Sequence, residues 1–122
     1  MFGNSSAIRE RVDGAIVRKE FSKTVNDKGG TDETQAYATE SMTREIFGCS
    51  TEELYQETNA RPGKRQTLPQ DAQTAYIVGE VAATHKLKGT EISGNQSQKH
   101  EQIVDTVEQS AREVKGIFPW NW

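Results

Sequence analysis

Residues 69–88 read PQDAQTAYIVGEVAATHKLK. Pro69 suits the first turn of a helix, because its missing N–H would be unpaired there anyway. At helical spacing Ala72, Ala75, Tyr76, Gly79, Ala83 and Leu87 fall on one stripe, while Ile77, Val78 and Val81 occupy the other side. Between Ala72 and Thr84 the only charged residue is Glu80. A helix that is apolar nearly all round is a buried one, and a stripe of Ala and Gly lets neighbouring helices approach closely. The stretch therefore predicts a central helix running to about Leu87, with other helices packed around it. Glu80 reads most simply as an edge position that reaches solvent or a lysine.

Working outward, GTEISGNQSQ reads as a polar loop, followed by a helix over about 97–115 that ends at Gly116. Its pattern places Ile103, Val104, Val107, Ala111, Val114 and Phe118 inward. Asp105, Glu108, Arg112 and Lys115 lie outward, with Glu108 and Arg112 correctly ordered for an i,i+4 pair. Upstream, NARPGKR is a loop around the Pro62–Gly63 turn. Ser50 with Glu53 forms a capping box that opens a short helix carrying Leu54 and Tyr55. A second short helix is expected over roughly 40–47, capped by Thr39 and closed by Gly48, with Met42, Ile46 and Phe47 inward. Segment 6–27 reads as helix, with Ser6 as N-cap and Gly29–Gly30 as the stop. Its apolar residues form two opposed sets, Ile8, Val12 and Ala15 against Val17, Phe21 and Val25, which predicts a kink near Gly14. No strand pattern or repeat stands out. The expectation is an all-α fold, a compact bundle of four to five helices around the Ala/Gly-rich one, forming a single domain over 1–122 with 118–122 as an aromatic tail.

At 122 residues the chain has room for one ordinary core. Only 33% of its residues are apolar and its mean hydropathy is −0.81. The net charge of −3 gives no general attraction to phosphate backbones, so nucleic-acid contact would need a local basic patch. One cysteine, Cys49, forms no internal disulfide, which fits a reducing compartment. The N-terminus shows no signal-peptide pattern, and no apolar run is long enough for a membrane span. A cytoplasmic location is expected.

No stretch spells out a catalytic mechanism. His85, His100 and Cys49 are the whole inventory of soft metal ligands, and they lack metal-site spacing, so no metal and no cofactor is expected. Cys49 stands just before a helix start, where a thiolate would be stabilised, but it reads more simply as a small residue in an interhelix turn. The pairs Glu52–Glu53 and Asp32–Glu33 sit where acids favour a helix dipole. An enzyme built on Glu80 and a histidine would require a polar cleft around Glu80. The best anion candidate is the loop cluster Arg61, Lys64 and Arg65, whose cations could face one phosphate-bearing ligand.

The run F-S-K-T-V…K-G-G…A-Y-A-T-E-S-M-T-R-E-I-F-G-C-S-T-E-E-L resembles the DNA-damage-inducible protein D family and its phage and plasmid relatives. The matching positions are Phe21, Gly29, Gly30, Tyr37, Ala38, Ile46, Phe47, Gly48, Glu53 and Leu54. Leu68 and the helix carrying Gly79, Glu80 and Thr84 fit the same layout, so the resemblance spans about residues 20–115. It implies a helical module tied to the DNA-damage response and to mobile elements, with no established active site to carry over. The expected function is a non-enzymatic regulatory or accessory module that works mainly by contact with a protein partner, with weak nucleic-acid contact. The alternative is a homo-oligomeric or antitoxin-like interaction module.

The sequence ends GIFPWNW. Pro119 stops the helix, and Phe118, Trp120 and Trp122 read either as a cap on an open end of the bundle or as a partner-binding tail. The cap reading predicts that deleting residues 118–122 lowers the melting temperature clearly, since each buried aromatic is worth roughly 1.5–3 kcal/mol. An unchanged thermal unfolding curve would remove it.

Overall fold

The structure is a computed structural model that describes residues 2–117, with side chains from residue 14 onward. It contains five helices: α1 (Phe2–Asp27), α2 (Asp32–Phe47), α3 (Thr51–Glu57), α4 (Gln70–Lys88) and α5 (Gln96–Ile117). A 3-10 turn at Arg65–Thr67 leads into α4. The fold is all-α, with no strand among the described residues.

Side-chain pairs fix the helix directions. Gly14 faces Ile77 and Glu20 pairs with Lys88, so α1 and α4 run alongside each other in the same sense. His100 meets Thr34 and Arg112 meets Glu45, so α2 and α5 form a second parallel pair. α4 packs broadly on both α1 and α5 and also touches α2, which makes it the helix shared by the whole bundle. The expected stripe of α4 is buried throughout, at Ala72, Ala75, Tyr76, Gly79, Ala83 and Leu87. Its other side is only partly covered. Ile77, beside Gly14 of α1, and Val78 are half-buried, whereas Val81 is 51% exposed and shares a groove with Ile16, which is 60% exposed.

Expected helix ends move. α1 begins at Phe2, so Ser6 lies inside it, and α5 continues through Gly116 to Ile117. α1 is continuous through Gly14 rather than kinked, and of the side chains described from residue 14 onward Phe21, Thr24 and Val25 enter the core. Of the two apolar sets, Phe21 and Val25 are buried, Val17 is half-buried and Ala15 is exposed, while the side chains of Ile8 and Val12 lie outside those described. α2 begins at Asp32, well before the expected start at 40, so Thr39 lies inside it. The true cap is Thr31, paired reciprocally with Thr34: the Thr34 amide donates to the Thr31 hydroxyl at 3.3 Å, and the Thr31 amide donates to the Thr34 hydroxyl at 3.0 Å. The early turns escape a hydrophobicity reading because their buried positions are Thr34 and Ala38, two turns and one turn before Met42.

The cap of α3 falls where expected. Glu53 N–H donates to Ser50 Oγ at 3.1 Å, and Ser50 N–H donates to Glu53 Oε1 at 3.0 Å. α5 starts on a similar reciprocal pair, Asn95 with Gln98, each bond 2.9 Å. On its inner face Ile103, Val107, Ala111 and Val114 are buried as expected, with Thr106 and Ser110 beside them, while Val104 is half-buried. Arg112 on the outer face pairs with Glu108 and reaches across to Glu45.

The α1–α2 corner turns on Gly30. A Cβ there would lie 2.7 Å from Val25 Cγ1, 3.0 Å from the Val25 carbonyl and 3.1 Å from Ile103 Cδ1. Backbone on one side and core side chains on the other leave no room to relax. Gly30→Ala is expected to lower stability by about 1–3 kcal/mol, the usual range for overpacking, read from the urea midpoint. An unchanged midpoint would show that the corner has slack.

Candidate functional site: a cavity beside a buried ion pair

Glu80 occurs one turn after Tyr76 and one turn before Ala83 and Thr84, on the inward side of α4, and it is 1% exposed. This corrects the expectation of a solvent-reaching edge position. A carboxylate so buried demands a cation, since an isolated buried charge is very costly. The cation comes from the loop: Arg65 Nη1 lies 2.9 Å from Glu80 Oε2. The distance suits a hydrogen bond but the N–H direction does not, so neither carboxylate oxygen receives a well-aligned hydrogen bond. Burial pushes the Glu80 carboxyl above the usual carboxylate range, against the opposing pull of Arg65 and, more weakly, of Arg18.

The Arg65 guanidinium also stacks on Tyr76, 4.1 Å from the ring centroid. Tyr76 in turn shares a 2.7 Å hydrogen bond between its hydroxyl and that of Thr43. Thr43 donates to the Thr39 carbonyl at 2.9 Å, and Thr51 donates to the Thr43 hydroxyl at 3.2 Å. Burial raises the Tyr76 phenol to about 12, with the Thr43 hydrogen bond and the Arg65 charge pulling the other way. A polar chain thus runs from Arg65 through Tyr76 and Thr43 to the start of α3, tying loop, α4, α2 and α3 together. Phe47 packs against the same Tyr76 ring at 5.1 Å between centroids.

Beside this chain opens a cavity of about 820 Å³. Arg18 of α1, Thr39 of α2, Tyr55 and Gln56 of α3, and Pro62 and Gly63 of the loop contribute to its wall, with Arg65 and Tyr76 on its inner side. The loop cations of the sequence reading are therefore split. Arg65 turns inward, its side chain 18% exposed. Arg61 and Lys64 stay exposed on either side of Pro62–Gly63 in the loop and do not line the cavity. Arg18, which no motif pointed to, is exposed and lines the cavity; no carboxylate among the described residues lies within ion-pair distance of it. Phe118, Trp120 and Trp122 lie outside the described residues.

The remaining candidates have structural places. His85 is exposed in the last turn of α4. His100 Nδ1 lies 2.9 Å from the Thr34 hydroxyl, which is fully buried and already serves the α2 cap, and the Tyr37 ring meets His100 edge-on at 5.3 Å. The Cys49 thiol is pushed up by burial and by Glu53, Glu57 and Glu40, the reverse of an activated nucleophile. Among the described residues no group of three or more metal-ligating side chains comes together, and no helix is long and apolar enough to cross a membrane. Compared with family models, curated proteins and solved structures, the chain has no match in any of the three.

Breaking the buried pair from one side leaves a stranded charge. Arg65→Ala is expected to cost about 3–5 kcal/mol, whereas the double change Arg65→Met with Glu80→Leu recovers most of that loss; chemical denaturation measures both. Since the folded-state pKa of Glu80 is raised, its ionisation costs stability as pH climbs from 4.5 through the folded value. The stability difference between wild type and Glu80→Gln therefore moves against wild type as pH rises through that window. A difference flat with pH, or one moving the other way, would show that Glu80 is not desolvated.

Proposed function

We propose that this chain is a non-enzymatic accessory module that works by binding, mainly through contact with a protein partner and secondarily through weak contact with nucleic acid. The observation that carries the reading is the layout of cations at the cavity. Arg61 and Lys64 stand exposed on a turn whose Pro62 and Gly63 line the cavity, and the exposed Arg18 of α1 lines the same cavity. Cations around an opening suit an anionic surface, such as a phosphate backbone or an acidic partner segment. The chain's charge of −3 favours a modest, salt-sensitive interaction over strong duplex binding. The setting in DNA transactions and the DNA-damage response follows from the sequence resemblance.

A second observation favours the protein-contact mode. Ile16, Val17 and Val81 line a shallow, largely apolar groove between α1 and α4, bordered by Glu20, His85 and Lys88. Two large apolar side chains left more than half exposed, with charges around them, have the make-up of a protein-contact surface. A homo-oligomer using this groove is the alternative form of the same reading.

The test is fluorescence anisotropy with short single- and double-stranded DNA at several salt concentrations, comparing wild type with a variant carrying Arg18→Gln, Arg61→Ala and Lys64→Ala. Arg65 is left intact because it is needed for folding. Salt-dependent binding that is lost in the variant is the expected result. No binding at low salt removes the nucleic-acid part and leaves protein contact, which sedimentation of wild type against Val81→Asp then addresses.

A further inference from the structure

We infer that the cavity between α1, α3 and the 59–65 loop is a binding site for a small organic anion carried on a flat ring. The inference deepens the binding-module reading and rests on it. Three observations carry it. First, the volume of about 820 Å³ falls within the range of small-molecule pockets, with apolar surface from Tyr55, Ala60 and Pro62 and polar groups from Thr39, Thr51 and Asn59.

Second, the Arg65 guanidinium is held in place before any ligand arrives. Tyr76 covers one face at 4.1 Å, Glu80 meets Nη1 at 2.9 Å, and the Tyr55 hydroxyl is close enough to feel its charge. These contacts use only part of its five N–H donors, and Arg65 lines the cavity. A fixed guanidinium plane is a good stacking surface for a ring, and its free donors suit a ring acceptor.

Third, the charges are distributed for an anion. Glu80 neutralises Arg65, so the positive charge left for a ligand is that of Arg18, on the α1 side of the cavity and without a carboxylate partner among the described residues. Glu52 is the one acid on the wall, and it belongs to the exposed face of α3. The site thus has a largely apolar interior with an exposed guanidinium, Arg18, on one wall. A ring lies inside and its anionic group pairs with Arg18, where a phosphate or a carboxylate is taken bidentately.

Isothermal titration calorimetry of the intact chain tests this with four probes: AMP, benzoate, adenosine and inorganic phosphate. The expected result is that AMP or benzoate binds at sub-millimolar concentration, and that the uncharged ring and the bare anion each bind at least about tenfold more weakly. Which of the two ring anions binds identifies the anionic group. Arg18→Gln, at an exposed position that leaves the fold intact, weakens that binding at least about tenfold. The inference is overturned if neither ring anion binds up to solubility, or if binding is indifferent to Arg18→Gln. Neither outcome touches the anisotropy result, which depends on Arg61 and Lys64 as well, so the two readings fail separately.

Discussion

The bundle is organised around one unfavourable demand: a carboxylate, Glu80, buried in the helix that every other long helix touches. Desolvation alone would expel it or force it neutral. The chain answers with Arg65, delivered by the 3-10 turn just before α4 and steadied on the Tyr76 face. Because Arg65 reaches inward, the preceding Pro62–Gly63 turn is held beside the cavity and lines it together with α3. The Tyr76–Thr43–Thr51 hydrogen bonds extend the same polar line to the α2–α3 junction. A pair of this kind is a weak source of net stability and a strong source of specificity, since most rearrangements of the loop would strand a charge.

The site and the fold are therefore one construction. The ion pair that fixes the loop also removes Arg65 from the set of free cations, leaving Arg18, Arg61 and Lys64 exposed. Arg65 is a positioning residue whose guanidinium forms part of the cavity wall, and the exposed cations supply charge without being needed for folding. This division explains how a chain with a small apolar fraction can keep an open cavity beside its core: the wall is held by directed polar contacts rather than by apolar packing alone.

Much of the helical layout was legible in the sequence. The α4 stripe, the Ser50–Glu53 box, the Gly48 stop and the inner face of α5 rest on spacing and capping, which are local. What was lost involved residues that bury without being hydrophobic. Thr34 and Ala38 hid the first turns of α2, and the Thr31 cap was missed with them. The burial of Glu80 was readable in principle, since it stands four residues after Tyr76 and three before Ala83 and so shares their face. Its partner was not readable, because nothing local says which of Arg61, Lys64 and Arg65 turns inward. Arg18 gave no signal at all: its role comes from α1 lying parallel to α4, a tertiary fact.

The most direct test of this account is the titration of the Glu80 side-chain carboxyl, followed by carbon-detected NMR on protein labelled at glutamate and assigned with Glu80→Gln. The account predicts a midpoint clearly above the ordinary glutamate value of 4.5, with the Tyr76 ring resonances shifting in step. A midpoint at 4.5 that does not move in Arg65→Met would mean that the carboxylate is solvated and feels no partner. The buried ion pair would then not be the constraint around which the loop and the cavity are built.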